Sequence, residues 1–78
     1  MRSNKHITLY HLLIDNKKYI GLKFPADKIL TSLVRDLKDI NWNDEFSMYC
    51  VPNNKYNIDA IFNQFRGIAW INTNYFFD

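Results

Sequence analysis

One cysteine, two glycines and two prolines are all that the 78 residues contain of those types, and each scarcity excludes something. With Cys50 alone, no internal disulfide and no cysteine-based zinc site can form, which fits a reducing compartment. Cys50 reads instead as a small buried apolar residue. So few glycines and prolines leave no linker, repeat or low-complexity stretch. No apolar run approaches the ~20 residues that cross a bilayer, and "MRSNKH" leads into alternating residues without a signal-peptide block. The expectation is a soluble, cytoplasmic protein with no membrane partner.

Catalytic patterns are also missing. The chain has no Gly-rich phosphate loop, no HExxH and no carboxylates at metal-binding spacing. His6 and His11 stand an odd number of residues apart in a strand-like run, which points them to opposite faces. None of the five tyrosines comes with an activating base or cationic cluster. These gaps argue against an enzyme, and no cofactor, metal or small-molecule substrate is expected.

What the chain does have is apolar and aromatic residues, 47% and 17% of the total. That is the composition of a packed globule. The expectation is a single domain over residues 1–78 with an ordered core from about 7 to 77. A chain this short buries only about 60% of its unfolded surface, so every strong apolar segment is needed.

The runs "ITLYHLLI" and "KYIGLKF" joined by "DNKK" predict a hairpin, with Asn16 able to take positive φ. Which face is buried stays open between Tyr10, Leu12, Ile14 and Ile7, Leu9, Leu13, because a one-residue slip exchanges them. Gly21 in mid-strand suggests a bulge or a close approach. After Pro25, the spacing of Ile29, Leu30, Leu33, Val34, Leu37 and Ile40 predicts an amphipathic helix, with Asp27 near its first turn. "NWNDE" reads as a polar turn around a buried Trp42, and "FSMYCV" as a half-buried strand that Pro52 ends. A second helix follows, with Asn53 or Asn54 as N-cap, Ile58, Ile61, Phe62 and Phe65 on one face, and Gly67 at C′. "IAWI" and "YFF" close the chain as one or two short strands, their rings docked to cover the sheet and fill the core. The fold class is α+β: a β-hairpin opening a β-β-α-β-α-β order, with two amphipathic helices on a small, mainly antiparallel sheet.

Charge is unevenly spread. Through Lys23 the chain carries Arg2, Lys5, Lys17, Lys18 and Lys23 against Asp15 alone, a balance of +4; from Phe24 onward five cations face seven acids, a balance of −2. A basic first third suits an anionic partner.

The ordered set of pieces Asp15 to Lys18, Ile20 to Phe24, Trp42, Tyr49 to Asn53 and Phe65 to Trp70 resembles the extra N-terminal domain of phage-integrase-type tyrosine recombinases, over roughly residues 7–77. The resemblance implies an arm-type accessory DNA-binding module that precedes core-binding and catalytic domains. The family's "HxxR" motif has no counterpart here, so no catalytic residue carries over. The resemblance supplies no list of DNA contacts either.

From charge, the residues expected to meet duplex DNA are Arg2 and Lys5 at the start, then Lys17, Lys18 and Lys23 on the hairpin, with Tyr10 and Tyr19 as partners. Lys55 and Arg66 rank below them. The alternative expectation is a protein-interaction module that docks recombinase subunits or downstream domains through Tyr49, Tyr56 and Tyr75.

Overall fold

The computed structural model describes residues 5–76. It contains β1 (His6–Ile14), β2 (Lys17–Lys23), α1 (Lys28–Arg35), β3 (Asn41–Asn43), β4 (Met48–Pro52), α2 (Lys55–Phe65) and β5 (Trp70–Asn72). The five strands form one sheet in the order β3-β4-β2-β1-β5, antiparallel except where β5 lies parallel to β1. The α+β order read from the sequence holds, with the three-residue β3 added where a plain turn was expected. Among the described residues no helix is long and apolar enough to cross a membrane.

The hairpin turn is only Asp15 and Asn16, with φ of 51° and 65°. Both central residues left-handed is what a type I′ turn requires, and its twist matches the strands it joins. Lys17 and Lys18 therefore lie in β2 rather than in the loop, paired with Ile14 and Leu13. This register settles which face is buried. Ile7 and Leu9 of β1, Ile20 and Leu22 of β2 and Val51 of β4 are buried against Leu30, Val34 and Leu37 from the α1 segment and Ile61 and Phe65 of α2. Burying each such side chain contributes about 1.5–3 kcal/mol. Leu13 shares that face by alternation but stays 63% exposed, because it lies near the hairpin tip.

Both helices are capped by side chains. Asp27 accepts from the Leu30 N–H at 2.9 Å, and Asn54 accepts from the Asn57 N–H at 2.8 Å. Gly67 follows α2 with φ of 76°, the left-handed conformation expected just past a helix. α1 is shorter than its apolar stripe. It ends at Arg35, and Leu37 and Ile40 reach the core from the turns that follow. Ile29 falls off the stripe and is exposed.

Trp42 departs from expectation. It is 52% exposed, not buried between α1 and the sheet. β3 is an edge strand, Asp44 Oδ1 accepts from the indole N–H at 2.7 Å, and the ring packs edge-on against Tyr49. A carboxylate two residues away thus satisfies the indole at the surface.

The tail is docked in part. Phe76 is buried in the core and stacks on His11 at 4.2 Å, while Tyr75 stacks on Tyr10 at 5.3 Å and stays exposed. Since Tyr10 and His11 occupy opposite faces of β1, the tail straddles the edge that β5 leaves uncovered beyond Thr8. Trp70 is exposed as well and fills no core. Phe77 lies outside the described residues.

Candidate functional site

Both helices pack on one face of the sheet, and among the described residues no helix covers the other. Alternation assigns to it His6, Thr8, Tyr10, Leu12 and Ile14 of β1, and Lys17, Tyr19, Gly21 and Lys23 of β2. Met48, Cys50 and Pro52 of β4 and Trp70 and Asn72 of β5 continue it. Its floor is apolar and tight. Leu12 and Cys50 are buried there, and a Cβ on Gly21 would stand 2.5 Å from the Met48 sulfur and 3.0 Å from Leu12 Cδ1. The glycine expected to permit a bulge or a close approach permits the approach, and the ladder runs through it unbroken. Burial pushes the Cys50 thiol up, so the residue serves as packing.

No strand position on this face holds an acid, whereas Lys17 and Lys23 stand exposed on it. Of the acids in the described residues, Asp15 is in the hairpin turn, Asp44 and Glu45 cap the β3–β4 turn, and Asp27, Asp36, Asp39 and Asp59 belong to the helical layer. The described acids therefore lie off the strand positions of this face, while the helical layer mixes its acids with Lys28, Arg35, Lys38, Lys55 and Arg66.

Above Tyr19 and Leu12 the sheet narrows to two strands. β5 pairs with β1 only as far as Thr8, and β4 pairs with β2 from Leu22 to Tyr19, after which a single Asn53 N–H donates to the Lys18 carbonyl at 3.0 Å. The tip of the hairpin therefore extends past the other strands as a two-stranded ribbon. Lys17 and Lys18 sit on that ribbon and, as neighbours in a strand, point to its opposite faces.

The expected DNA-facing residues are thus only partly together. Tyr10, Lys17, Tyr19 and Lys23 share the open face, and Lys18 flanks the same tip from the helix side beside His11, Leu13 and Asn53. Lys5 is ion-paired with Asp27, which draws its charge toward the α1 N-terminus. That contact, followed by the Leu30 N–H, holds the Asp27 carboxyl below its ordinary value. Arg2 lies outside the described residues. Lys55 pairs with Asp59 at 2.9 Å and Arg66 donates to Asn63 at 3.2 Å, both on the surface of α2. Tyr49 and Tyr56 lie on the helix side and Tyr75 on the open side, so the three form no single docking patch. Residue-by-residue reading missed Trp70 as a surface group, whereas Tyr75, one of the rings expected to dock a partner, is exposed. The alternation of Trp70 and Asn72 against Ile71 was the available signal, but only the pairing with β1 shows which way it points.

The class that emerges from the described residues is a two-layer α+β domain with one open sheet face whose strand positions hold no acid, and a lysine-bearing ribbon. Comparisons with protein-family models, curated proteins and solved structures gave no match to the chain.

Proposed function

We propose that the chain is a duplex-DNA-binding module, and that it serves as the accessory N-terminal domain of a site-specific tyrosine recombinase of phage-integrase type, in the cytoplasm and without catalytic groups of its own. The observation that carries the DNA reading is the ribbon tip with Lys17 and Lys18 on its two faces. A B-form major groove is about 12 Å wide and admits a two-stranded ribbon. The full five-stranded sheet, with strands about 4.8 Å apart, is too broad for it. A ribbon lying in the groove carries one lysine toward each phosphate wall, while Tyr19 and Lys23 follow the backbone down the open face. Phosphate contacts of this kind fix register, and base edges met by the tip would supply sequence preference. Assignment to a recombinase rests on the resemblance of the ordered sequence pieces.

Titration of the labelled protein with duplex DNA tests the reading by NMR. Amide shifts should concentrate at residues 10–23, with the α1 surface at Lys28, Thr31 and Arg35 unmoved. Shifts spread evenly over both layers, or none at low salt, would contradict it.

A second reading is favoured by a separate observation. Trp42 and Phe46 are exposed beside Asp44 and Glu45 on the β3–β4 hairpin, at the Lys23 end of the sheet and away from the basic tip. An acidic, aromatic knob suits docking to a recombinase subunit or a downstream domain. A chain that only docks would show no preference for duplex DNA over heparin of matched charge.

A further inference from the structure

Trp70 is 69% exposed and Tyr75 62% exposed, and both lie along the β1–β5 margin of the open face. Isolated exposed rings are ordinary, but Tyr75 is stacked on Tyr10 and the backbone that carries Trp70 is fixed in the sheet. The Trp70 N–H donates to the Lys5 carbonyl at 2.9 Å, so the strand bearing the indole is tied to the start of β1. The ring of Tyr75 lies nearly parallel to Tyr10, with an interplanar angle of 10°, so one face is backed by protein and the other is open. Phe76 anchors that tail segment from the opposite side of the sheet, where its carbonyl accepts from His11 Nε2 at 2.7 Å.

Register gives the spacing. Trp70 stands beside His6, and Tyr10 lies four residues further along β1, a separation of about 13 Å at strand rise. Thr8, Asn72 and Lys23 occupy the interval, and no strand position there holds an acid. Two separated flat rings among hydrogen-bonding groups and a lysine do not form the closed apolar pocket of a protein hot spot. Their separation and surroundings suit the stacking of bases, which is tolerant of sequence because every base has a π-face.

We propose that the Trp70 and Tyr75 margin stacks unpaired bases, so that the preferred ligand is a duplex with a single-stranded extension, the paired part on the lysine ribbon and the unpaired part on the aromatic margin. The inference rests on the DNA-binding reading above and names the ligand form.

The test compares three DNAs at one salt concentration: a blunt duplex, the same duplex with a short oligothymidine tail, and a blunt duplex lengthened to the phosphate count of the tailed one. The tailed duplex should bind about fivefold or more tighter than the phosphate-matched blunt duplex, since stacking one base is worth at least about that factor. In a Trp42→Phe background the tail should quench Trp70 fluorescence, and blunt DNA should quench it less. Trp70→Ala and Tyr75→Ala should each reduce the tail's advantage and leave blunt-duplex affinity unchanged, whereas Trp70→Phe should retain most of it and Trp70→Leu should not. Blunt binding with no advantage from the tail, or an advantage that survives both alanine variants, overturns this inference alone. Absence of binding to all three DNAs overturns the DNA-binding reading with it.

Discussion

A methyl group on Gly21 would have to displace Met48, whose sulfur stands 2.5 Å from the Cβ position, and press on the buried Leu12. Met48 is flexible and can give way, but Leu12 is held within the floor of the open face. Gly21→Ala should therefore cost ~1–3 kcal/mol, the range for overpacking, and Met48→Ala in the same chain should return part of the loss. Urea denaturation of the single and double variants measures both, and a fully stable Gly21→Ala would show that the floor is loosely packed. Asp27 offers a second test at this scale. Its carboxyl sits below the ordinary 3.8 because Lys5 and then the Leu30 N–H favour its charged form. The stability this adds is complete above the ordinary value and is lost as the pH falls through the lower, folded one. Asp27→Asn keeps a capping oxygen and removes the charge. That variant should be less stable than the parent at neutral pH, and the gap should close on acidification below about pH 4. A gap that stays constant from neutral to strongly acidic pH would show that the Lys5 pair adds no stability.

Elements carry unequal weight, and the C-terminal segment after β5 carries more than its length suggests. Phe76 is 5% exposed and lies in the core with Ile7 and Leu9, although it belongs to no helix or strand. Phe76→Ala should cost ~3–5 kcal/mol, as buried aromatic truncations do, and Tyr75→Ala, which loses only a surface stack, about 0.5–1.5 kcal/mol. Equal and small losses from both in thermal melts would show that the tail is not docked. The elements that sequence made legible are those whose signals are local. Asn54 and Gly67 bracket α2 by capping chemistry, and Leu30 and Val34 mark the buried stripe of α1 by period. What stayed hidden depends on pairing between distant residues. The buried face of β1 follows from a two-residue turn that "DNKK" alone does not specify, since Lys17 and Lys18 could have been loop or strand. Trp42 and Trp70 were read as core because large rings usually are. Each sits on a three-residue strand at an edge of the sheet, and edge position is a property of the assembled topology.

At the scale of the whole molecule, the net charge of +2 is modest and what matters is where its lysines lack acidic neighbours. Among the described residues Asp15 is the one acid on the ribbon and the strand positions of the open face hold none, whereas the helical layer mixes Asp27, Asp36, Asp39 and Asp59 with Lys28, Arg35, Lys38, Lys55 and Arg66. Of the candidate site, the hairpin lysines and Tyr10 and Tyr19 were legible from charge and alternation. Their grouping on one face, and the pairing of Lys5 with Asp27, required the sheet register and the packing of α1. The central claim is that duplex DNA meets the ribbon and not the helices, and the salt dependence of binding tests it most directly. Each phosphate contact contributes about −0.9 to the slope of log K against log salt on B-form DNA. Lys17, Lys18 and Lys23 changed together to glutamine should flatten the slope by up to about three units while the fold stays intact, because exposed lysines contribute little to stability. The triple change at Lys28, Arg35 and Lys38, on the helical side beside Asp27, Asp36 and Asp39, should leave the slope nearly as it was. Equal flattening by both triple variants, or no binding at low salt, would contradict the account.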